Sequence, residues 1–478
     1  MFICTTCLFD HQQQAVDKLI HVKVGALYME QGTGKTRTAL ELISKRLSAG
    51  KIDKIIWLTP CSIKENLKRE IQKHIGYFPT EIDITGIETL STSIRENSRL
   101  LRTASTYRCY LIVDESILVK NPYALRTQHI TNIADLCRFK LILNGTPISK
   151  TYADLFAQWY ILDWRILGYK SYWSFAANHI EYDKDMPGRI RRCLNVEYLT
   201  RKIAPYAYQV KKKDCLSLPE KIYKTWYYDI SRDQRSLYDW VSEYFFMQIE
   251  EMEPHTIYRF LTALQLVLAG FIVEDKRHHI VKTPLFQDPF DNPRIDALIS
   301  IIKQISDDEK VIIYTAFTQE VDDILCVLKN LYGDESAVRF DGSVPQKARN
   351  TNALKFADNC RFFVTNSKCS RFGLNLQFCS NVIYYSNTYE YVTRAQSEDR
   401  VHRIGQIRNV MIYDICASVT IDERILDCLV NKENLIDKFK EELKKNNDKR
   451  DLLDWLTLKR SNSKSCVNAQ DRSDLKDV

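Results

Sequence analysis

Glycine is scarce in this chain, fourteen in 478 residues, and half of them stand in a few short motifs: Gly25, Gly32, Gly34, Gly145, Gly342, Gly373 and Gly405. A chain this sparing keeps glycine where a positive φ or a close backbone approach to a ligand demands it. Long apolar runs are missing as well. The longest, LTALQLVLAGFIV from Leu261 to Val273, falls short of the roughly 20 residues that a bilayer helix requires, so no membrane span is expected. The opening MFICTTCLFD has neither the basic segment nor the apolar length of a secretory signal. No second CxxC and no nearby histidine couple accompanies Cys4 and Cys7, which leaves a four-ligand zinc site half built. No internal repeat is evident.

What is present describes a globular protein. Hydrophobic residues make up 45% and charged residues 27%, an ordinary soluble balance, and the length implies two to three domains with large buried cores. The net charge of +7 permits a nucleic-acid partner without establishing one. The fourteen cysteines are scattered through apolar segments such as RCYLIV and YDICAS, where a free thiol packs as a small hydrophobe. A reducing, cytoplasmic setting is expected, the host's cytoplasm if the gene is a phage's.

Strand-like runs alternate with helical segments: VGALYM at Val24, KIIWLT at Lys54, CYLIVDE at Cys109 and KLILNGT at Lys140. This reads as a parallel sheet. The pattern returns in KVIIYT at Lys310, AVRFDG at Ala337, RFFVTN at Arg361, NVIYYS at Asn381 and NVMIYDI at Asn409. The fold expected is therefore α/β, with two RecA-like parallel-sheet domains at residues 1–164 and 293–450. Residues 165–292 show helical spacing and few strand signals and are expected to form a helical insertion and bridge. Trp240, Tyr244, Phe245 and Phe246 within it read as core or packing surface. Residues 451–478 form a polar tail, expected to be disordered beyond Leu458.

The first strand leads into Glu30-Gln31-Gly32-Thr33-Gly34-Lys35-Thr36 and then a helical segment. Amides of such a loop, through Gly32, Thr33 and Gly34, can cradle phosphates; Lys35 would neutralise the outer ones and Thr36 would ligate magnesium. Met29 stands where the strict eight-residue pattern has glycine. Asp114 and Glu115 end an apolar strand, which puts them at the carboxyl edge of the sheet. There Asp114 would hold magnesium and Glu115 would orient and deprotonate an attacking water. Gln12, before the loop strand, has the donor and acceptor to read an adenine edge. Far downstream, QSEDRVHRIGQ from Gln396 to Gln406 places Arg400 and Arg403 three apart on one expected helical face. Such arginines can act as fingers that stabilise charge on a transferring phosphate.

The ordered set resembles the Swi/Snf-type family of superfamily 2 DNA translocases, from about Leu8 to Asp414. It comprises DHQ at Asp10, GTGKT at Gly32, TP at Thr59, DES with KN at Lys120, LNGTPIS at Leu143, KKDCLSLPEK at Lys212, DGSVPQKAR at Asp341, SKCSRFGLNLQ at Ser367 and QSEDRVHRIGQ. The last three are specific in combination. The resemblance implies an ATPase site of Lys35, Thr36, Asp114, Glu115, Arg400 and Arg403 with Gln396 close by, using ATP and Mg2+. It implies a nucleic-acid track lined or supported by Thr59, Thr146, Ser343, Ser367, Asn375 and Gln377. Ile117 departs from the family's usual histidine, a position that links hydrolysis to movement. Ser370 and Arg371 replace a usual glycine pair; Arg371 could add a phosphate contact or a salt bridge within the protein.

The loop and lysine fall in the first half and the fingers in the second, so the site is expected to be complete only when the halves close. The leading expectation is an ATP-dependent translocase on double-stranded DNA. A strand-separating helicase on DNA or RNA is the second reading, although no separation pin is identifiable. The third is a nucleotide-gated scaffold without productive hydrolysis. The basic groups Lys211–Lys213 and Arg189–Arg192 could assist binding or form a solvated face.

Overall fold

The computed structural model describes residues 2–145, 148, 151–183, 190–247, 254–276, 279–367, 369, 374–433, 435–436, 438–439, 442 and 455–456. In chain order the strands are β1 (Val24–Met29), β2 (Lys54–Thr59), β3 (Ile82–Gly86), β4 (Cys109–Val113), β5 (Phe139–Asn144), β6 (Ile180–Tyr182), β7 (Ile190–Cys193), β8 (Ala207–Val210), β9 (Lys221–Tyr228), β10 (Phe271–Lys276), β11 (His279–Pro284), β12 (Val311–Thr315), β13 (Ala337–Phe340), β14 (Phe362–Asn366), β15 (Asn381–Tyr384) and β16 (Val410–Ala417). Two six-stranded sheets carry the fold, ordered β3-β2-β4-β5-β1-β8 and β13-β14-β12-β15-β16-β9. Every pairing in the first is parallel. So is every pairing in the second. Two antiparallel hairpins, β6-β7 and β10-β11, stand apart from the sheets.

The first sheet is buried on both faces, as the two-residue alternation of its strands requires. Ala26, Tyr28, Ile56, Leu58, Leu111, Val113 and Ile142 fill one side. Leu27, Met29, Ile55, Trp57, Tyr110, Ile112, Leu141 and Leu143 fill the other. That double burial explains why these strands read as unbroken apolar runs. In the second sheet Val311, Ile313, Phe362, Val364, Ile383 and Ile415 share a core with the helix Pro293–Ile302.

The expected helical insertion at 165–292 does not stand as a separate body. The first compact unit runs to Leu218 and the second begins at Pro219. β8 joins the edge of the first sheet against β1, and β9 joins the edge of the second, paired with β16 along its whole length. The helices Arg232–Met247 and Pro254–Leu268 share a core with Ile421, Ile425 and Leu429 of the second unit. Trp240 and Tyr244 are not core residues: they are 52% and 40% exposed and stack on each other with ring centroids 4.9 Å apart. The side chains of Phe245 and Phe246 lie outside the described residues, as does the tail beyond Leu458. Leu456, assigned from sequence to the polar tail, is buried in the same core. Among the described residues no helix is long and apolar enough to cross a membrane.

The chain start is tied to the first unit by polar contacts. Ser44 Oγ donates to the Phe2 carbonyl at 2.8 Å, Arg37 Nη2 to the Thr6 carbonyl at 2.7 Å, and Thr6 Oγ1 lies 2.8 Å from His74 Nδ1. Cys4 and Cys7 flank this tie as free thiols. Burial, with Arg37 and Lys73 nearby, lowers the His74 pKa to about 4. The unfolded chain takes up this proton first, near the ordinary histidine pKa of about 6.5, so the His74 contribution to stability is whole above that pH and is lost as pH falls towards 4. His74→Gln is expected to flatten this part of the profile. The wild-type minus variant difference in thermal midpoint should be constant above about pH 6.5 and fall as pH goes from there to 4; a difference that stays constant through that window would contradict the lowered His74 pKa.

Candidate functional site

Because the first sheet is parallel, the segments after β1, β4 and β5 all leave its carboxyl edge. After β1 the chain turns through Gly32 at φ 82° and Gly34 at φ 89° before the helix Lys35–Ser48 begins. A side chain at Gly34 would also collide with its neighbours, since a Cβ there would lie 2.1 Å from Gln12 Nε2. The loop is braced from below: Thr33 Oγ1 donates to the Glu30 carbonyl at 2.7 Å, and Thr38 Oγ1 to the Gly34 carbonyl at 3.1 Å. Lys35 Nζ donates to the Met29 carbonyl at 3.0 Å. Thr36, partly exposed, follows it in the first turn of the helix.

The Gln12 amide is engaged at both its nitrogen and its oxygen. Its Nε2 donates to the Thr33 carbonyl at 3.0 Å and its Oε1 accepts from the Phe9 amide at 3.1 Å. His11 Nε2 lies 2.9 Å from the same Thr33 carbonyl. The pair anchors the glycine loop, a contact that comes in addition to the adenine role expected of Gln12. His11 drew notice only as a letter of the DHQ motif, because nothing local in the sequence reveals a partner more than twenty residues on.

Asp114 and Glu115 follow β4 directly. Asp114 Oδ1 accepts from the Glu115 amide at 3.0 Å and Oδ2 from Thr59 Oγ1 at 3.2 Å. Thr59 is fully buried and holds the acidic pair, which leaves it the supporting part of the role expected of it. Glu115 takes φ 49° and ψ 52°, a left-handed conformation rare outside glycine, asparagine and aspartate. Strain of this kind concentrates at functional positions. Ser116 donates to Gln158 Oε1 at 2.6 Å in the buried floor, while Ile117 lies partly buried beside it. Burial and the neighbouring Glu115 push the Asp114 carboxyl up to about 7, against the pull of Lys35. Lys35, Asp114 and Glu115 therefore share one electrostatic neighbourhood, and this acidic pair would gain from a bound cation.

The second unit holds the other expected residues. The helix that carries Gln396 spans Tyr391–Glu398 and stops there. Arg400 and Arg403 are not on its face. They lie in the turns that follow, because Arg400 N bonds the Ser397 carbonyl, Val401 N the Glu398 carbonyl and Arg403 N the Val401 carbonyl. Gly405 at φ 97° turns the chain back against Gln377. Asn375 accepts a hydrogen bond from Arg403 Nη1 at 2.5 Å, and Leu376 N bonds the Arg400 carbonyl at 3.0 Å. Asn375 and Gln377, expected on the nucleic-acid track, thus pack against the segment of the expected fingers.

Ser343 is exposed, its amide and hydroxyl both donating to Asp341, which Arg339 holds in turn. Ser367 is buried, and among the described residues its Oγ has no hydrogen-bond partner. Thr146, Ser370 and Arg371 lie outside the described residues. Of the basic groups, Arg191 and Arg192 pair with Glu181, Lys212 is buried, and Arg189 lies outside the described residues. Among the described residues no cluster of three histidine, cysteine or acidic side chains is arranged to hold a metal.

A carboxyl titrating near 7 in the fold but near 3.8 when unfolded destabilises the metal-free protein as pH rises between those values, because the fold then holds a proton the unfolded chain has released. Asp114→Asn is expected to gain thermal midpoint over wild type in chelator as pH goes from 5 to 8. A constant difference across that range would contradict the raised carboxyl.

Comparison with known proteins finds family matches in both halves of the chain. Residues 79–268 match an SNF2-related domain, residues 293–405 a helicase conserved C-terminal domain, and residues 6–148 the res subunit of type III restriction enzymes. An uncharacterized ATP-dependent helicase of Mycoplasma genitalium is 27% identical across 87% of this chain and 40% of its own length. The ATP-dependent helicase fft1 of Schizosaccharomyces pombe is 26% identical across 84% of this chain and 49% of its own. The chain thus spans about half the length of these relatives or less. The SWI2/SNF2 ATPase core of Sulfolobus solfataricus, solved in complex with dsDNA, covers 94% of this chain and 96% of that one at 20% identity and a TM-score of 0.42.

Proposed function

We propose that this chain, with its match to an SNF2-related domain and to a helicase conserved C-terminal domain, is an ATP-dependent motor of the Swi/Snf type that moves along double-stranded DNA. The observation that supports this reading best is the convergence of Lys35, Asp114 and Glu115 at one sheet edge, after a loop that turns through two positive-φ glycines into the start of a helix, where the first amides suit phosphate.

Each residue then has a task. Amides of Gly32 to Thr36 and the start of the helix at Lys35 bind the phosphates, and Lys35 exchanges its carbonyl contact for a phosphate oxygen. The acidic pair fits Mg2+: Thr36 and Asp114 would hold it, with Thr59 fixing the Asp114 carboxylate. Bound magnesium would neutralise charge on the transferring group. Glu115 orients the attacking water and accepts its proton, and its left-handed backbone aims the carboxylate independently of Asp114. Arg400 and Arg403 stabilise the charge that develops in the transition state, with Gln396 nearby in sequence.

The track is proposed to be duplex DNA, read by contacts to sugar and phosphate; affinity should therefore fall steeply with salt and depend little on sequence. Ser343, Ser367 and the segment Asn375 to Gln377 are proposed to serve it. Since Arg403 bonds Asn375 directly, a strand contact at Asn375 would be felt at the arginine.

Displacement of a third strand from a linear triplex, run beside unwinding of a forked duplex, tests the reading. ATP-dependent triplex displacement without fork unwinding is expected. Fork unwinding alone would favour the strand-separating reading, and binding without phosphate release the scaffold. Glu115→Gln should retain nucleotide binding and lose turnover by about a hundredfold or more. Arg403→Ala should lose roughly a thousandfold with nucleotide binding intact.

A further inference from the structure

The second unit contains a buried ionic cluster to which the proposed chemistry assigns no task. It sits at the root of the segment that bears Arg400 and Arg403. Arg394, 5% exposed in the helix Tyr391–Glu398, sends Nε to Glu398 Oε1 at 2.8 Å, Nη1 to Asp414 Oδ1 at 2.6 Å and Nη2 to Asp414 Oδ2 at 3.1 Å. Its Nη1 also bonds Asn387 Oδ1, and Asn387 Nδ2 donates to Asp414 at 2.8 Å. The guanidinium lies over the ring of Tyr384, whose hydroxyl is 2.5 Å from Ser397 Oγ. The second oxygen of Glu398 accepts from Lys221 Nζ and Tyr223 Oη, both at 2.8 Å and both on β9. Burial would raise the Glu398 carboxyl, but Arg394 and Lys221 outweigh it and hold the pKa below the usual carboxylate value.

Arg394, Asp414 and Glu398 are each more than nine-tenths buried. Well-packed apolar residues of the same volume are often as stabilising as a buried ion cluster, so stability alone is a weak reason for one. Directional bonds do, however, fix position. The two residues whose side chains the cluster clamps at the helix end, Ser397 and Glu398, are also the two whose carbonyls hold the next segment: Ser397 takes Arg400 N at 3.2 Å, and Glu398 takes Val401 N at 3.1 Å and His402 N at 2.8 Å. His402 Nε2 then meets the Pro219 carbonyl at 2.7 Å.

We propose that Arg394 is a positioning residue for catalysis, setting Arg400 and Arg403 through Ser397 and Glu398 without touching nucleotide or DNA. The inference rests on the reading of those arginines as fingers. Displacement of a catalytic group by about 1 Å can cost on the order of a hundredfold in rate, so a loosened clamp should appear in turnover before it appears in binding.

The test uses the full chain with Arg394→Lys, which keeps the charge and loses the bidentate fork, and Tyr223→Phe, which removes one hydroxyl from a residue 55% exposed. Arg394→Lys should lower kcat by about tenfold or more, while the Kd for a non-hydrolysable ATP analogue and for duplex DNA stays within about twofold. Tyr223→Phe should lower kcat by a smaller factor and keep its thermal midpoint. In an Arg403→Ala background the Arg394→Lys penalty should shrink, because one of the two groups it positions is gone. Unchanged kcat in Tyr223→Phe and in a folded Arg394→Lys would overturn the proposal, as would the full penalty persisting without Arg403. Should Arg394→Lys fail to fold, Tyr223→Phe with and without Arg403 decides. Wild-type turnover by Arg403→Ala would instead overturn the finger reading on which this one rests.

Discussion

Parallel strand pairing is the constraint on which everything else depends. In a parallel sheet all carboxyl ends share an edge, so segments far apart in sequence are delivered to one place without any contact between them having to specify it. In the first unit this puts the glycine loop after β1 beside Asn144-Gly145 after β5, with Asp114-Glu115 after β4 one strand further. The edge is rigid because both faces of the sheet are packed, and chemistry can therefore be carried on short loops. Gly34 shows how tight the arrangement is: its missing Cβ is the space that Gln12 uses to hold the Thr33 carbonyl.

Electrostatics divides the labour between the units. The first concentrates negative charge that is poorly solvated, with Asp114 raised towards neutrality by burial and by Glu115, and such a pair is suited to a cation and a water. The second concentrates positive charge that is well paired where buried and more open where the turn begins. Arg394 is enclosed by Asp414, Glu398 and Asn387, whereas Arg403 lies partly exposed on Asn375. A buried arginine with every partner in place is a fixed point; an arginine on a turn is one that can reach.

Apolar strand runs, the glycine loop and the acidic pair were legible in the sequence because each is local: a strand buried on both faces declares itself in five or six residues. The edge strands were not. KIYKTWYY mixes lysines with aromatics and half its residues are exposed, so from sequence β9 reads as part of a helical bridge, and only its pairing with β16 makes it a strand. The end of the helix at Glu398 was also hidden, since the charged residues beyond it keep helical spacing and only the hydrogen bonds show the turn. The buried cluster escaped for another reason. Asp414 interrupts an apolar strand, which is a visible anomaly, but its partner lies twenty residues earlier and Lys221 joins from 177 residues before Glu398.

A Swi/Snf-type motor couples nucleotide hydrolysis to a duplex DNA track, and the assignment of this chain stands or falls with that coupling. Phosphate release measured at saturating ATP and magnesium, with and without linear duplex DNA of arbitrary sequence, tests it most directly. The rate is expected to rise several-fold on adding duplex and to return to the basal level at high salt. A rate indifferent to duplex DNA, with ATP binding intact, would contradict it.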